Sequence, residues 1–443
     1  MKTLIIFLWL ISVILYLIAP KDFSSQYCWL LFLVNLCGWA ILFKFANFNN
    51  AVNFNIFFVI CCFLVSFIFP LFIYPNDWII FTFRYYYDPK YIVKGTALFN
   101  LAILSYIAGF VYSFRKEKPV YFIYKLDRKL LFFLYLIFYA MVSYGIWDLS
   151  KQTQLEYSEV TRASITHYSI TLLLCILVIL NCSANKEFIR GNIKSFLVCN
   201  MPLFIPAAVF SFFCLLVGVR YPVLEIMLII AYSFSFFVHK LKVRHVLILG
   251  TLGLLLMFAV SILRMSGDLS APMNFWIFFS DLIGTTKNLY LGLDYVDRNG
   301  YNYGQSLIAP LTSFCPFLPS FLTDLLFDKP PSQLGSQLIL TQFNQSVNPE
   351  MGFWVGSNVA IDLYLDFGFV WVCLVMFIFG KYIAFLESTK GNSLLYNLLY
   401  TSAFSYCIFL VRASVFDQVR SVIWIVIFYS IMRHLNLIKV YRI

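Results

Sequence analysis

Six arginines lie at the ends of apolar segments or in the polar segments that join them. The guanidinium group stays charged and donates two parallel hydrogen bonds to a phosphate group. A cation beside hydrocarbon is costly unless it has a partner, so a set of this size favours an anionic ligand. Any single one has a plainer alternative, since Arg420 is one turn from Asp417 and Arg220 is within reach of Glu225. The candidates for phosphate binding are Arg84, Arg162, Arg220, Arg264, Arg412 and Arg420.

Three residues are candidates for a general base that accepts a proton from a hydroxyl group. Asp362 and Asp366 are four residues apart, so they share one helix face and repel each other. Such repulsion prepares a carboxylate to act as a base, although an arginine partner is the alternative for each acid. Glu350 precedes the same helix and has solvation as its alternative. His167 suits acid–base chemistry and has a structural role as its alternative. The sequence does not rank Asp362, His167 and Glu350.

Motifs for metal ions and nucleotides are missing from the sequence. None of the 11 cysteines forms a Cys-x-x-Cys pair, and the four histidines form neither a cluster nor a His-Glu-x-x-His motif. A glycine-rich phosphate loop of the ATPase type is also missing. The sequence therefore predicts chemistry without a metal ion or another cofactor.

The segments that must position these residues are strongly apolar. The chain of 443 residues is 61% hydrophobic and only 12% charged, whereas a soluble domain has roughly 25% charged residues. A helix needs roughly 20 residues to cross ~30 Å of hydrocarbon. We therefore predict an all-α, polytopic integral membrane protein. Its predicted spans, about twelve by this length criterion, lie near residues 3–19, 27–43, 53–74, 96–114, 130–147, 166–184, 195–217, 221–239, 245–263, 357–380, 393–411 and 419–437.

The basic residues predict the orientation of these spans. Most of the 32 lysines and arginines fall in short segments on one side, and most of the 21 acids fall on the other side or within the spans. The positive-inside rule then places both chain ends in the cytoplasm and the six arginines at the outer side. The net charge of +11 follows from this topology. No nucleic-acid-binding motif accompanies it.

The longest outer segment, 265–356, precedes the span that carries Asp362. Its aromatic and leucine-rich parts, 272–296 and 307–327, are interrupted by prolines and charged residues. We predict that they form short interfacial helices that lie on the membrane surface or cover a cavity. Because no repeat or linker divides the chain, we predict one domain over residues 1–443.

Four patches in the second half resemble the bacterial oligosaccharide repeat-unit polymerases, the Wzy or O-antigen polymerase family. A Gly-x-Arg sequence ends at Arg220 and opens a span, and Arg264 closes the span before the long loop. The stretch Gly356–Gly368 (GSNVAIDLYLDFG) is similar to the family's small-residue entry followed by acid-x-Tyr-x-x-Phe-Gly, with Asp362 where glutamate is common. Arg412 and Arg420 bracket the last outer turn. The likeness covers about residues 200–430 and is only topological before that.

The resemblance implies a glycosyltransferase that needs neither a metal ion nor a nucleotide sugar. Its substrate would be an oligosaccharide repeat unit on undecaprenyl diphosphate, at the periplasmic face of the bacterial inner membrane. The growing glycan would pass to a sugar hydroxyl of the next lipid-linked unit, for O-antigen or a similar polysaccharide. The family also implies a flippase and a chain-length regulator as partners, beside the membrane lipid.

Two other classes of protein stay open at this point. O-antigen ligases use the same donor, but they typically place a functional histidine in the large loop, and 265–356 contains none. Transporters, such as a flippase for lipid-linked oligosaccharide, also have about twelve spans. They do not require a long outer loop, and they concentrate charge near the membrane midplane. The sequence therefore favours the polymerase.

Overall fold

The structure is a computed structural model that describes most of the chain. The described residues are 1–46, 50–76, 88–115, 122–151, 160–217, 219–248, 250–251, 253, 283–305, 307, 335–347 and 356–442. In 122–126, 128, 160–165 and 439–442 only the backbone is described.

Helices dominate the described residues, as predicted. They are α1 (Lys2–Leu17), α2 (Ser25–Ala46), α3 (Phe54–Ser66), α4 (Tyr91–Ser113), α5 (Arg128–Lys151), α6 (Val160–Ala184), α7 (Lys186–Ile189), α8 (Ile193–Val217), α9 (Tyr221–Phe237), α10 (Thr286–Asn299), α11 (Ser336–Val347), α12 (Val359–Thr389), α13 (Leu394–Leu410) and α14 (Asp417–His434). A π-helical turn, Phe69–Ile73, and a 3-10 turn, Tyr74–Asn76, follow α3.

Six of the described helices are long and apolar enough to cross a membrane: α2, α4, most of α5, most of α6, α8 and α12. The bent pair of α3 and the turns after it, with a 41° bend, makes a seventh. Three further apolar helices, α1, α9 and α13, are shorter. The chain is therefore a helical membrane protein, and the count of twelve spans stays a prediction. A helix occupies each predicted span except 245–263, most of which lies outside the described residues.

A short two-stranded antiparallel sheet accompanies the helices, and the predicted helical fold class stands. β1 (Phe122–Leu126) pairs with β2 (Ile438–Arg442), in a register that sets Phe122 opposite Arg442 and Leu126 opposite Ile438. The sequence reading missed it because each strand is short and finds its hydrogen bonds only in a distant segment. The pairing requires the α4–α5 connection and the C-terminal segment to lie on the same side of the bundle.

The centre of the bundle is α4, which is buried along almost its whole length and packs most extensively against α12. The two helices run in the same direction. Their first turns both contact α10, through Gly95 against Tyr290 and Ile361 against Gly292. At their other ends, the amide of Arg115 donates to Ser388 Oγ (3.3 Å). In the predicted topology, α4 and α12 both cross the membrane from the outer to the inner side, so they must run in the same direction.

Two glycines set the distance between α4 and α12. A Cβ at Gly109 would lie 2.0 Å from the carbonyl oxygen of Phe377, and a Cβ at Gly380 would lie 2.0 Å from that of Tyr106. The helices therefore touch backbone to backbone, as small residues allow in membranes. Side-chain hydrogen bonds add to this packing, among them Asn35 Nδ2 to Asn100 Oδ1 (2.7 Å) between α2 and α4.

Helix α12 is broken after its first two turns. Phe367 and Gly368 have non-helical dihedrals, and Gly368 adopts φ of 75°, which glycine tolerates without steric cost. The amides of Asn302 and Tyr303 donate to the freed carbonyls of Leu365 (2.8 Å) and Asp366 (3.2 Å). The part after the break still has roughly the 20 residues that span a bilayer. The short part before it carries the candidate base Asp362.

We expect Gly109→Ala to destabilise the protein, because the new methyl group must push α4 away from the Phe377 carbonyl. Overpacking of this kind costs typically about 1–3 kcal/mol. The measurement is the apparent Tm of the purified protein in detergent. Gly250→Ala is the matched control, since a Cβ there meets none of the described residues within 4 Å. Equal Tm values for the two variants would show that the α4–α12 contact is not tight.

Candidate functional site

The predicted site residues that the structure describes lie at one end of the bundle, here called the site end. It is the end at which α6, α9, α12 and α14 begin and α13 finishes. The first turns of α10 and α11, from the long loop, also lie there. Asn288 Nδ2 of α10 donates to the Gly356 carbonyl (2.6 Å), just before α12.

Asp362 lies in the first turn of α12, whose N-cap is Asn358 with its side chain accepting from the amide of Ala360 (3.0 Å). The carboxyl group is buried, at 2% exposure of the residue. Its Oδ1 accepts a hydrogen bond from Ser336 Oγ of α11, and the Ser414 side chain hydrogen-bonds it from the α13–α14 turn. Ser336 Oγ also lies 3.1 Å from Ser357 Oγ. Hydroxyl groups from two other segments therefore hydrogen-bond this carboxylate.

Two further carboxylates act electrostatically on Asp362. Asp366 lies one turn along α12, as its spacing predicted, and is fully buried. Asp417, at the start of α14, has the larger effect of the two. Its Oδ2 accepts from Tyr406 Oη (3.1 Å) and from the amide of Ser414 (3.3 Å). The like-charge environment predicted for Asp362 therefore comes from Asp417 on α14 as well as from Asp366 on α12.

Arg412 and Arg220 are half-buried at the site end. Arg412 lies in the turn after α13, and the carbonyl of Val411 beside it accepts from the amide of Val359 at the start of α12 (3.2 Å). Arg220 caps α9. The neighbouring Tyr221 places its ring 6.1 Å from that of Phe409, whose carbonyl accepts from the Arg412 amide (2.8 Å). The structure therefore brings these two predicted arginines to the same end as Asp362.

Arg420 has a different environment. Its guanidinium carbon lies 3.6 Å from the centre of the Tyr168 ring, a cation–π contact between α14 and α6. Asp417 on α14 and Glu225 on α9 lie within its electrostatic range. Glu225 is buried at 5% exposure and hydrogen-bonds the Thr171 side chain. Arg420 therefore acts on Asp417 electrostatically, and a direct bond between the two side chains, the alternative for Arg420, stays a prediction.

His167 lies deep between aromatic rings. Its imidazole centre is 5.4 Å from that of Phe210 and 5.9 Å from that of Tyr221, and the residue is only 1% exposed. Within the described part of the chain, His167 Nε2 has no hydrogen-bond partner. Its neighbour Tyr221 lies beside Arg220, but no described contact joins the imidazole to Asp362. Its role as a base stays a prediction.

Four predicted site residues are not available for such a description. Glu350, Arg84 and Arg264 lie outside the described residues. Arg162 lies in the first turn of α6, where only the backbone is described. Their assignments as a base and as phosphate-binding residues stay predictions.

Sequence reasoning missed the serines around Asp362 and the cation Lys287. Ser336 and Ser414 carry no signal in the sequence, because serine is common in loops. Lys287 is one of the charged residues that interrupt the aromatic segment 272–296. It lies in the first turn of α10, between the buried residues Thr286 and Asn288. Burial lowers the pKa of Lys287 from 10.5 to about 8. A partly buried cation with a shifted pKa is typical of a functional site.

The described residues contain no group of three or more His, Cys, Asp or Glu side chains that would hold a metal ion. What they do contain is a buried carboxylate held by hydroxyl groups, with half-buried arginines at the same end. This arrangement suits proton abstraction and the binding of an anionic group.

Comparisons with protein-family models, with curated proteins and with solved structures found nothing that matches this chain.

We expect Lys287→Met to stabilise the protein near neutral pH. The unfolded chain keeps the lysine proton up to about pH 10.5, whereas the folded chain releases it near pH 8. Because the unfolded state binds more protons between these values, stability rises with pH across that window, and below it the folded state bears the full cost of burying the charge. The measurement is the apparent Tm at pH 7 and pH 10.

Lys287→Met should have a higher Tm than wild type at pH 7, and its Tm should rise less than that of wild type between pH 7 and pH 10. Lys21→Met, at an exposed lysine, is the control and should leave both values unchanged. A lower Tm for Lys287→Met than for wild type at pH 7 would contradict the lowered pKa of Lys287 in the folded state.

Proposed function

We propose that this chain polymerises undecaprenyl-diphosphate-linked oligosaccharide repeat units into a surface polysaccharide such as O-antigen. In this proposal the site end faces the periplasm at the bacterial inner membrane. The observation that carries it is the buried Asp362, held by hydroxyl groups, at the same end of a helical membrane bundle as Arg412 and Arg220. A base and phosphate-binding cations at one membrane boundary are what this reaction requires.

In the reaction, a hydroxyl oxygen of the acceptor sugar forms a bond to the anomeric carbon of the donor glycan. The bond from that carbon to the diphosphate oxygen breaks, and the electron pair leaves with undecaprenyl diphosphate. Asp362 accepts the hydroxyl proton. Arg412 and Arg220 stabilise the negative charge that develops on the leaving diphosphate, as fixed cations do most effectively in a site of low dielectric constant.

The helix directions support an anionic substrate at this end. The N-termini of α9, α11, α12 and α14 all lie there, and the helix dipoles place partial positive charge at this end. Helix N-termini favour phosphate groups for this reason. Together with the arginines, they make the site end more attractive to a diphosphate than the number of formal charges indicates.

The break in α12 supports substrate binding at the membrane boundary. If the part of α12 after Gly368 spans the bilayer, Asp362 stands just beyond the hydrocarbon, at the depth of lipid headgroups. The diphosphate of a lipid-linked sugar lies at this depth. Helix α10, from the long loop, packs over the starts of α4 and α12 and so covers this region.

The proposed topology has twelve spans, with both termini cytoplasmic and the loop 265–356 periplasmic. The β1–β2 sheet supports it in part, since it joins two segments that the positive-inside rule assigns to the cytoplasm. A flippase that delivers the substrate and a chain-length regulator are the partners expected from the family resemblance.

The two alternative functions, ligase and transporter, differ from the polymerase in what they produce: a ligase forms a different product, and a transporter forms none. A ligase would move the finished chain to lipid A core, and a transporter would move a lipid-linked oligosaccharide without chemistry. A buried carboxylate held by hydroxyl groups from two other segments favours an enzyme over a transporter, because binding alone does not require a base. The experiment below separates all three.

Deletion of the gene in its host should leave lipid A core that bears a single repeat unit, seen on a silver-stained gel of surface polysaccharide. Wild type should restore the ladder of longer chains. Asp362→Asn and Arg412→Ala should fail to restore it, because loss of a base costs roughly 100-fold or more in rate. Glu187→Gln and Arg433→Ala, at exposed positions at the opposite end of the bundle, are the matched controls and should restore the ladder.

Loss of every repeat unit in the deletion strain, including the single one, would instead indicate a flippase or a ligase. A full ladder with Asp362→Asn at normal protein levels would remove Asp362 from the mechanism.

A further inference from the structure

The turn between α13 and α14 connects two carboxylates through one serine. The side chain of Ser414 hydrogen-bonds Asp362, while its backbone amide donates to Asp417 Oδ2 (3.3 Å). Ser414 and Asp417 are therefore the link between α14 and the candidate base on α12.

The hydroxyl group of Ser414 has a fixed direction. Its Oγ accepts a hydrogen bond from the amide of Phe416 (3.1 Å). A serine hydroxyl has one proton to donate. With the amide of Phe416 bound to its oxygen, that proton is directed to the Asp362 carboxylate.

Asp417 is held in place from three directions. Tyr406 Oη donates to it from α13 (3.1 Å), and the amide of Ser414 donates from the turn. Arg420, one turn along α14, lies within electrostatic range and is itself fixed over the Tyr168 ring at 3.6 Å. A carboxylate in the first turn also stabilises a helix N-terminus. The turn that carries Ser414 is thus fixed by contacts with α6, α13 and α14.

We propose that Ser414 and Asp417 are positioning residues for Asp362, and that Arg420 is the counter-ion of Asp417 rather than a ligand of the substrate diphosphate. The inference rests on the proposed polymerase function. Ser336 holds Oδ1 of the Asp362 carboxylate from one side and Ser414 holds the group from another, so its remaining lone pairs face a constant direction. A base fixed in this way acts on a bound acceptor hydroxyl without first having to be oriented.

This assignment predicts a fall in kcat with little change in KM. The assay uses the full-length purified protein in liposomes. The substrate is the host's own lipid-linked repeat unit, extracted from the deletion strain. We expect Ser414→Ala and Asp417→Asn each to lower kcat by roughly 10- to 100-fold, the range of a disturbed general base, with KM within about twofold. Ser414→Thr keeps the hydroxyl group and should recover most of the rate.

Arg420→Ala and Arg412→Ala separate the two roles proposed for arginine. Arg420→Ala should lower kcat and leave KM unchanged, because it acts through Asp417. Arg412→Ala should raise KM as well, because it loses a contact with the diphosphate. Ser150→Ala, at an exposed serine on α5, is the control and should match wild type.

A wild-type kcat for Ser414→Ala and Asp417→Asn would overturn the positioning role while leaving the polymerase intact. An increase in KM for Arg420→Ala as large as that for Arg412→Ala would return Arg420 to the diphosphate site. If a variant does not fold, the Ser414→Thr and Arg420→Ala measurements still decide the question. If wild type itself forms no polymer, the proposed function fails, and this result is distinct from the others.

Discussion

The backbone contact between α4 and α12 is the constraint on which the rest of the bundle depends. Gly109 and Gly380 bring the two helices so close that a Cβ on either would collide with a carbonyl oxygen of the other. In a membrane, close packing and interhelical hydrogen bonds replace the hydrophobic effect as the force between helices. Since α12 carries Asp362 and α4 is the buried centre, this contact fixes the candidate base relative to the remaining helices.

The break in α12 is the second constraint. In a continuous helix these carbonyl groups would accept hydrogen bonds from amides of the same helix. Here the carbonyls of Leu365 and Asp366 accept from the amides of Asn302 and Tyr303, which satisfies the backbone where unpaired groups are expensive. Gly368 is needed at the break, because its φ is positive and a Cβ would lie 2.8 Å from Tyr301 Oη. The long loop is therefore attached to α12 directly below the candidate site.

The buried charges divide into two groups with different roles. Around Arg420, the surrounding residues Tyr168, Asp417 and Glu225 come from three helices, in the half of each that lies toward the site end. Around Asp362, the described hydrogen-bond partners are hydroxyl groups. Charged groups near hydrocarbon are retained for a reason, either as mutual partners or for a substrate. In the proposed mechanism the first group holds the framework and the second does the chemistry.

The sequence by itself determined that the chain is a helical membrane protein, where most of its helices lie, and that Asp362 and Asp366 share a helix face. These properties are local: apolar length sets a membrane helix, and a period of 3.6 residues sets its faces. Only the tertiary structure decided that Ser336, Ser414 and Asp417 surround Asp362, that Arg420 stacks on Tyr168, and that β1 pairs with β2. Each of these contacts joins segments that are distant in the chain. Hydrophobic periodicity shows which face of a helix is apolar, but it does not show which other segment that face meets.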